Sequence, residues 1–295
     1  MSIENTIDLF GEEVYWQKLL GFIIGIIIIG VVCFIDDSKG GVHPLVKLTA
    51  QIIAAVVMLI SGVKIEGLQI PFINDAPWED AFYTILTIGW IVGITNAINL
   101  IDGLDGLSTG VTIIASISLL IIFSLNGAPL LAIILITALA GALIGFLPYN
   151  FNPAKTFIGD VGSDFLGFSL AVISILGVAK TYTAIVIVAP LIVLALPVFD
   201  TLFAIVRRIV KGKSLKAVIM PDRGHLHHKI LDKGYTQKQA VLILYGISAT
   251  FGMFAVILLE SGIWKAISFA LMIVVAIAIG YHSMFKLKEE DNKNQ

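Results

Sequence analysis

Long apolar runs alternate with short polar segments along the chain. A helix needs about 20 apolar residues to cross the hydrocarbon of a bilayer, and several runs approach or reach that length. They predict an all-α, polytopic membrane bundle of about nine transmembrane helices, at residues 16–35, 45–62, 81–98, 107–125, 129–147, 164–179, 182–197, 239–259 and 263–284. Residues 1–295 are expected to form a single transmembrane domain.

Two segments depart from this pattern. Residues 63–80 alternate like a short external hairpin and carry Trp78 where an interfacial aromatic ring would lie. Residues 198–238 form the longest polar stretch, which we expect to be a basic, histidine-containing cytoplasmic loop. The runs at 164–179 and 182–197 are short, so a tilted or broken pair of helices is expected there.

Composition supports the membrane assignment. The chain is 58% hydrophobic and 14% charged, with a mean hydropathy of +0.97, which is more apolar than a soluble domain. The single cysteine, Cys33, excludes an internal disulfide. Residues 1–15 are acidic and contain no Lys or Arg, which is the wrong flank for a signal peptide.

The basic residues predict the orientation. If the spans alternate, all but four of the 19 Lys and Arg residues fall on one side of the membrane, the exceptions being Lys18, Lys64, Lys180 and Lys265. The side rich in Lys and Arg is the cytoplasmic one. We therefore expect the N-terminus outside and the C-terminus inside.

Four polar clusters interrupt the apolar chain. The alternation places all of them on the cytoplasmic face: FIDDSKGG, NLIDGLDG, NFNPAKTFIGDVGSD and PDRGHLHHK. A shared site is the simplest account of this placement. The sequence therefore predicts one cytoplasmic cleft built from segments that lie far apart in the chain.

Asp36 and Asp37 close the first predicted span. Adjacent residues on a helix project about 100° apart, so both acids face one site only where the helix ends. The glycines at 40 and 41 indicate that it does end there. An ordinary charged helix end at the membrane interface is the alternative.

The second cluster combines amides with acids. Asp102 and Asp105 are three residues apart and share a helix face, while Asn99 and Asn96 precede them by successive turns. A glycine after each acid lets a ligand or metal approach the backbone. Asp105 as the N-cap of the next span is the alternative, but it leaves the other three residues unexplained.

Asp160 lies between glycines in a tight turn before the sixth predicted span. Small neighbours leave room for water and phosphate oxygens around a hard cation, and Mg²⁺ takes only one or two protein carboxylates. The pattern favours Mg²⁺ at Asp160, with Mn²⁺ as the alternative ion. Either Ser163 or Asp164 is expected to cap the following helix.

The fourth cluster places His225, His227 and His228 beside Arg223 and Lys229. Zinc binding is disfavoured because no cysteine lies nearby and no HExxH helix is present. Imidazoles beside Arg and Lys are better matched to a pyrophosphate. A basic loop attracted to anionic lipid head groups is the alternative.

These clusters together are suited to phosphoryl-group transfer. Carboxylates bind magnesium, the metal neutralises a diphosphate, and the cations hold the remaining charge. The acceptor is expected to be a lipid, because otherwise nothing requires the site to lie in a membrane protein.

The motifs resemble those of the polyprenyl-phosphate N-acetylhexosamine-1-phosphate transferases. The resemblance covers about residues 34–245 and rests on four motifs in order: DD at 36–37, NxxNxxDGLDGL from Asn96, Asn150 before GDVGS, and HLHH. It implies transfer of a sugar 1-phosphate from a UDP-sugar to undecaprenyl phosphate, with release of UMP, as the first membrane step of cell-wall polymer synthesis.

The resemblance also implies residue roles. Asp160 resembles the magnesium ligand of the family, and Asp36 and Asp37 resemble the paired acids tied to the metal or the acceptor phosphate. Asp102 and Asp105 are grouped with them as catalytic acids in contact with the diphosphate. The expected substrate contacts are Asn96, Asn99, Asn150, Arg223, His225, His227 and His228.

The HLHH spacing, with Leu226 and a preceding PDRG, is similar to the branch that uses UDP-N-acetylglucosamine. The branch that uses UDP-MurNAc-pentapeptide typically has three consecutive histidines and is the alternative. The expected partners are a UDP-N-acetylhexosamine, undecaprenyl phosphate and the lipid bilayer, without nucleic acid and with a homodimer left open. We expect a bacterial cell-membrane protein with its active site on the cytoplasmic face.

Members of that branch usually carry two further N-terminal spans, whose basic loop contributes to the acceptor site. This chain starts at what resembles the third span, so the metal and nucleotide half of the site is expected to be the more complete. An inactive regulatory homologue is one alternative. A transporter or channel is another, although the acids cluster at one interface instead of mid-span. A CDP-alcohol phosphotransferase would need an Arg soon after its first DG pair, and DGLDGLS has none.

Overall fold

The computed structural model describes residues 13–39, 41–66, 68, 77–178, 184–212 and 224–293. The regular elements in these ranges are all helices, which confirms the all-α prediction. They are α1 (Glu13–Lys39), α2 (Pro44–Ile60), α3 (Glu79–Ile101), α4 (Leu107–Leu125), α5 (Leu130–Asn150), α6 (Gly159–Val178), α7 (Ala184–Val193), α8 (Ala195–Gly212), α9 (Leu226–Asp232) and α10 (Gln237–Lys293).

Six stretches of the described helices are long and apolar enough to cross a membrane. They are the greater part of α1, all of α3, α4, α5 and α6, and Gln237–Ile263 of α10. Helix α2 is apolar but shorter, at 17 residues. The polytopic helical bundle is therefore confirmed, whereas the count of about nine spans and the orientation remain predictions.

The predicted seventh span, 182–197, is divided in the structure. Helix α7 ends at Val193 after 10 residues, and α8 begins at Ala195. Pro197 has no N–H to donate to the carbonyl of Val193, which weakens the helix at this point. The break lies inside the second of the two short predicted spans, whereas the junction between them, 179–183, lies outside the described residues.

The prediction of a loop over 198–238 is wrong in its first part. Residues 198–212 belong to α8, and α9 occupies 226–232. Apolar residues recur every three or four positions from Phe199 to Val210, and this period favours a helix in spite of the basic residues at its end.

The last two predicted spans, 239–259 and 263–284, form one element, α10, with an interruption at Gly262. Gly262 has φ 79° and ψ 173°, a backbone conformation that glycine adopts without steric cost. The interruption falls in the gap between the two predicted spans.

Of the predicted hairpin at 63–80, residues 67 and 69–76 lie outside the described residues. The described part is attached to α3, because the Ile65 amide donates to Thr87 Oγ1 at 2.9 Å and the Tyr83 hydroxyl donates to the Leu68 carbonyl at 2.5 Å. Trp78 is the N-cap residue of α3, without a side-chain capping bond, and is 52% exposed. Its location at a membrane interface remains a prediction.

Helix α6 lies at the centre of the bundle, in contact with α1, α3, α4 and α5. It is also the most buried of the candidate spans, since 78% of its most apolar 18-residue window is buried inside the structure. The peripheral helix α1 instead exposes large apolar side chains such as Leu20, Ile27 and Phe34, as lipid-facing surfaces do. Side-chain contacts among the connections α1–α2, α3–α4 and α5–α6 place these three connections at one end of the bundle.

Candidate active site

Three carboxylates from two helices form an acid cluster at that end. Asp36 and Asp37 belong to the last turn of α1 and Asp160 to the first turn of α6, and one oxygen of each lies within 4.8 Å of the others. Gly41 and Gly159, with φ of 119° and 64°, provide the left-handed backbone that lets α1 end and α6 begin here. The structure thus brings the first and third predicted clusters together.

Lys47, in the first turn of α2, joins the acid cluster. Its Nζ lies 2.6 Å from Asp160 and 3.3 Å from Asp36. From the other side, Asn99 Nδ2 donates to Asp160 Oδ1 at 3.2 Å and to Ser163 Oγ at 2.9 Å. Asp160 is therefore held by a cation and an amide from two different helices.

The acid cluster fits a hard divalent cation. Its three carboxylates concentrate negative charge, of which the ammonium of Lys47 neutralises only part. Asp37 is exposed and the Asp160 side chain is 43% exposed, so the cluster opens outward and leaves room for the waters and substrate oxygens that Mg²⁺ retains. Asp160, with Asp36 and Asp37 beside it, is the candidate site for Mg²⁺ or Mn²⁺.

Asp102 lies directly after α3, in the loop that leads to α4. Ser108 Oγ donates to Asp102 Oδ1 at 2.5 Å. Burial raises the pKa of Asp102 to about 6. The charge of Asp160 adds to this increase, and the hydrogen bond from Ser108 opposes it. Asp102 is therefore ionised at neutral pH and takes up a proton in mild acid.

Gly103 brings the histidine segment onto this loop. A Cβ at Gly103 would overlap the imidazole of His227, so the ring packs directly on the backbone next to Asp102. Only a residue without a side chain allows this approach. The second and fourth predicted clusters therefore meet, at the same end of the bundle as the acid cluster.

Asp105 supports the connection between α5 and α6. Its Oδ2 accepts hydrogen bonds from Asn152 Nδ2 at 2.9 Å and from the Ala154 amide at 3.2 Å. The N-cap of α4 is Gly106, in a left-handed conformation, so the alternative role of Asp105 as a cap is wrong. The contacts of Asp105 link the DGLDG loop to the segment before α6.

Two predicted substrate residues have partners inside the protein. Asn150 is buried, accepts from Thr109 Oγ1 at 2.6 Å and donates to the Thr156 carbonyl at 2.9 Å. Asn96 Nδ2 donates to Gln51 Oε1 at 2.5 Å. These contacts position the loops and helices around the site, and direct contact of either amide with a substrate remains a prediction.

The expectation that Ser163 or Asp164 caps the sixth span is wrong. The helix begins earlier, at Gly159, so both residues lie beyond its first turn. Asp164 is buried, and its Oδ2 accepts hydrogen bonds from Cys33 Sγ at 3.1 Å and Gln51 Nε2 at 3.2 Å. This network lies one helical turn below Asp160 and joins α1, α2 and α6.

Asp200 of α8 anchors the start of the histidine segment. Its Oδ2 lies 2.8 Å from His225 Nδ1, and its Oδ1 accepts the Leu226 amide at 2.8 Å. Burial opposes the charge of Asp200, but the bonds from His225 and Leu226 outweigh it and lower the pKa of this carboxyl. Asp200 therefore stays ionised and fixes both the ring of His225 and the first turn of α9.

The three histidines form a compact, largely buried group. His225 and His227 are 4% and 3% exposed, and the ring centroids of His225–His227 and His227–His228 are 5.8 and 4.2 Å apart. Burial, followed by the neighbouring His228, lowers the pKa of His227 to about 4. His227 is thus neutral at physiological pH and offers hydrogen bonds but no charge. Arg223 lies outside the described residues.

Sequence reasoning did not select Lys47 or Asp200 as site residues. Lys47 is the one charged residue of the run 44–63, and Asp200 is the one acid of the run 181–212. Each residue could therefore have been recognised from the sequence, because an isolated charge in an apolar helix is costly in free energy unless it has a partner.

An apolar groove of about 440 Å³ runs between α3 and α8. Small residues of α3 and branched residues of α8 form much of its walls: Gly89, Gly93, Ala97, Val198, Leu202 and Ile205. Ala97 lies about one and a half helical turns before Asp102. The groove therefore approaches the polar end of the bundle from the apolar side.

Residues 19–178 match the sequence profile of glycosyl transferase family 4. The chain is 37% identical over 262 residues to the probable undecaprenyl-phosphate N-acetylglucosaminyl 1-phosphate transferase of Bacillus subtilis (strain 168), which covers 89% of this chain and 72% of that protein.

Two further relatives carry the names of related transferases. The decaprenyl-phosphate N-acetylglucosaminephosphotransferase of Mycolicibacterium smegmatis is 35% identical over 267 residues, 82% of this chain and 64% of that protein. The phospho-N-acetylmuramoyl-pentapeptide-transferase of Staphylococcus saprophyticus is 41% identical over 161 residues, half of each chain. The profile match and the coverage of the Bacillus relative show that this chain belongs to glycosyl transferase family 4.

Proposed function

We propose that this protein transfers a sugar 1-phosphate, most specifically N-acetylglucosamine 1-phosphate, from a UDP-sugar to undecaprenyl phosphate and releases UMP. The observation that carries the proposal is the acid cluster of Asp36, Asp37 and Asp160, which is open on one side and lies at the same end of the bundle as the histidine segment. Such a reaction brings two anions together, a diphosphate and a phosphate. It therefore needs a site at the membrane surface that binds a cation to neutralise their charge.

We assign Asp160, supported by Asp36 and Asp37, to hold Mg²⁺, with Mn²⁺ as a substitute. When bound, the ion neutralises the diphosphate charge and assists departure of UMP. Lys47 and Asn99 keep the Asp160 carboxylate in place through their contacts at 2.6 and 3.2 Å. Lys47 also balances part of the acid charge when no divalent cation is bound.

The bond changes are simple. A phosphate oxygen of the acceptor attacks the β-phosphorus of the UDP-sugar, and the bond from that phosphorus to the bridging oxygen breaks to release UMP. A phosphate monoester has a second pKa near 6, so the acceptor is largely dianionic at neutral pH. Asp36 and Asp37 then need to orient the acceptor and the ion more than they need to remove a proton.

The histidine segment has a different part in this proposal. The neutral His227 ring, held against Gly103, offers an N–H to a phosphate oxygen, and the Asp200–His225 pair keeps the segment in position. Asp102 on the adjacent loop is ionised at neutral pH and lies on the same side as Asp160. These residues give the cleft a fixed shape around the diphosphate.

The acceptor is proposed to be a lipid held partly in the membrane. The apolar groove between α3 and α8 approaches the polar end of the bundle. A polyprenyl chain that lies in this groove would have its phosphate directed towards the acid cluster. The excess of Lys and Arg on the same side supports a cytoplasmic location for the site.

The donor is proposed to be UDP-N-acetylglucosamine. The HLHH spacing supports this choice, and so do the names of the Bacillus and Mycolicibacterium relatives. The second candidate is UDP-MurNAc-pentapeptide, which is favoured by the 41% identity to the Staphylococcus saprophyticus transferase over half the chain.

The test uses membranes that contain the full chain, supplied with Mg²⁺, undecaprenyl phosphate and one donor at a time. We expect much faster UMP release from UDP-N-acetylglucosamine than from UDP-MurNAc-pentapeptide. The ratio of the two transfer rates measures the discrimination between these donors. The reverse ratio would assign the protein to the second candidate. Release from neither donor would favour the inactive regulatory homologue.

A further inference from the structure

Helix α8 separates two pockets. Its residues 198, 202 and 205 line the apolar groove, whereas Phe199, Phe203 and Arg207 line a second pocket. Successive residues turn by about 100° around a helix, so the two sets lie on opposite sides of α8. The second pocket is therefore separate from the groove proposed for the acceptor.

This second pocket, here the α8–α9 pocket, has a volume of about 530 Å³, within the roughly 300–1,000 Å³ range of ligand pockets. It is bounded by α8, α9 and α10. Its principal lining residues are Phe199, Phe203, Arg207, Lys229, Ile247 and Phe251.

The floor of the α8–α9 pocket is aromatic and largely exposed. Phe199 and Phe203 are 51% and 66% exposed, and the ring centroid of Phe199 lies 6.5 Å from that of Phe251. Exposed aromatic rings on an amphipathic helix with a basic end are typical of surfaces that rest in the acyl-chain boundary.

The rim of the pocket is cationic. The guanidinium of Arg207 lies directly against Gly224, where any Cβ would overlap it, and Lys229 on α9 is exposed. The acid at the pocket wall, Asp200, is engaged by His225 and the Leu226 amide. Two basic side chains, Arg207 and Lys229, therefore line the pocket next to its apolar floor.

We infer that the α8–α9 pocket binds an anionic phospholipid of the surrounding leaflet. Arg207 and Lys229 would hold the phosphate, because a guanidinium matches phosphate geometry and a lysine adds a second charge. The three phenylalanines would receive the first part of an acyl chain. Basic residues at a membrane surface attract anionic lipids in this way.

This inference is independent of the proposed transfer reaction. It does, however, connect lipid composition to the site, because Asp200 and Leu226 line the pocket and also hold the histidine segment in place. A lipid bound here contacts the helix that carries His227.

The test uses nanodiscs that contain the full chain and a trace of photoactivatable phosphatidylglycerol or phosphatidylcholine, with cross-links mapped by mass spectrometry. We expect phosphatidylglycerol to label the peptides that carry Phe199, Phe203 and Phe251 in preference to phosphatidylcholine. Lys229→Glu should reduce that labelling by about five-fold or more, since one basic residue near an anionic surface accounts for roughly that factor. Lys233→Glu is the matched control, because Lys233 is an exposed lysine one turn further along that does not line the pocket.

A second pair of variants tests the floor. Phe203→Ala should reduce the labelling, whereas Val206→Ala, on the same helix and 57% exposed, should not. Equal labelling by both lipids, or equal loss in each variant and its control, would overturn the inference. Absence of floor labelling by either lipid would also overturn it.

Discussion

The acid cluster and the histidine segment lie at the same end of the bundle but differ in how their charges are balanced. In the acid cluster, Lys47 is the one cation among the described residues that is seen paired with the three carboxylates, and Asp37 and Asp160 open outward. In the histidine segment, His225 and His227 are buried, and the ionised partner Asp200 is itself fully engaged.

This difference predicts two separate tasks at one end of the bundle. A cluster with unbalanced negative charge is completed by a cation from outside the chain, so its behaviour should depend on divalent ions. The histidine segment is anchored by Asp200, whereas Nδ1 of the buried His227 has no hydrogen-bond partner among the described residues, so the segment should contribute shape and a hydrogen bond rather than charge. The predictions that follow test this division, beginning with the largest expected effect.

Asp160→Asn should abolish transfer while the protein remains folded and inserted. The amide keeps the shape of the side chain but removes the charge that a hard cation needs. The loss of UMP release should exceed the about 10–100-fold cost of removing an outer partner of a metal ligand. Asp80→Asn, at the exposed start of α3 on the opposite end of the bundle, is the control. Parent-like Mg²⁺-dependent activity in Asp160→Asn would refute the assignment.

Asp200→Asn should reduce transfer by about 10-fold, since the ring of His225 and the first turn of α9 lose their ionised anchor. The concentration of Mg²⁺ that gives half-maximal activity should stay unchanged, because the acid cluster is intact. Asp232→Asn, on the exposed end of α9, should match the parent. A shift in Mg²⁺ dependence in Asp200→Asn would show that the two regions are not separate.

Lys47→Gln should destabilise the protein mainly in the absence of divalent ions. The variant leaves three neighbouring carboxylates without their counter-charge, at a cost of about 1–2 kcal/mol, less than for a fully buried pair because Asp160 is 43% exposed. Thermal unfolding in detergent with EDTA and with Mg²⁺ measures the effect, and Mg²⁺ should narrow the gap to the parent. Lys64→Gln, whose partner Asp80 is 90% exposed, should show little change. A gap that is the same in EDTA and Mg²⁺ would contradict the prediction.

Asp102→Asn should stabilise the metal-free protein at neutral pH by on the order of 1 kcal/mol. The folded-state pKa of about 6 is above the ordinary value of 3.8, so the charged form carries a burial penalty that the amide lacks. The gain should be complete above about pH 6 and should vanish below about pH 4, where the carboxyl is protonated in both folded and unfolded states. Thermal unfolding in EDTA across this pH range provides the measurement. A stability gain of the variant over the parent that grows towards low pH would contradict the prediction.

Much of the fold was predictable because apolar runs bounded by glycine or proline determine helix positions directly. The predicted span 107–125 coincides with α4 (Leu107–Leu125), and Gly262 interrupts α10 between two predicted spans. The start of α6 was misplaced by five residues, because the polar first turn around Asp160 hides a helix that begins at Gly159. Helix α8 was hidden in the same way by its basic end.

The acids of the candidate site were also predictable, since their motifs stand out from an apolar background. The partners of those acids were not, because Lys47 and Asp160 are 113 positions apart and nothing local links them. Asp200 meets His225 only because α8 and α9 pack together. Gly103 could be recognised as a point of close approach, but the imidazole of His227 as its neighbour required the fold.

The central claim is that the acid cluster holds a divalent ion in contact with the diphosphate of a nucleotide sugar. Electron paramagnetic resonance of Mn²⁺ bound to the purified full chain with UDP-N-acetylglucosamine tests it directly, because phosphorus nuclei bonded through oxygen to the ion produce a resolved ³¹P coupling. We predict ³¹P coupling in the parent protein and in Asp80→Asn, and its loss in Asp160→Asn. Bound Mn²⁺ without ³¹P coupling in the parent, or coupling that persists unchanged in Asp160→Asn, would contradict the claim.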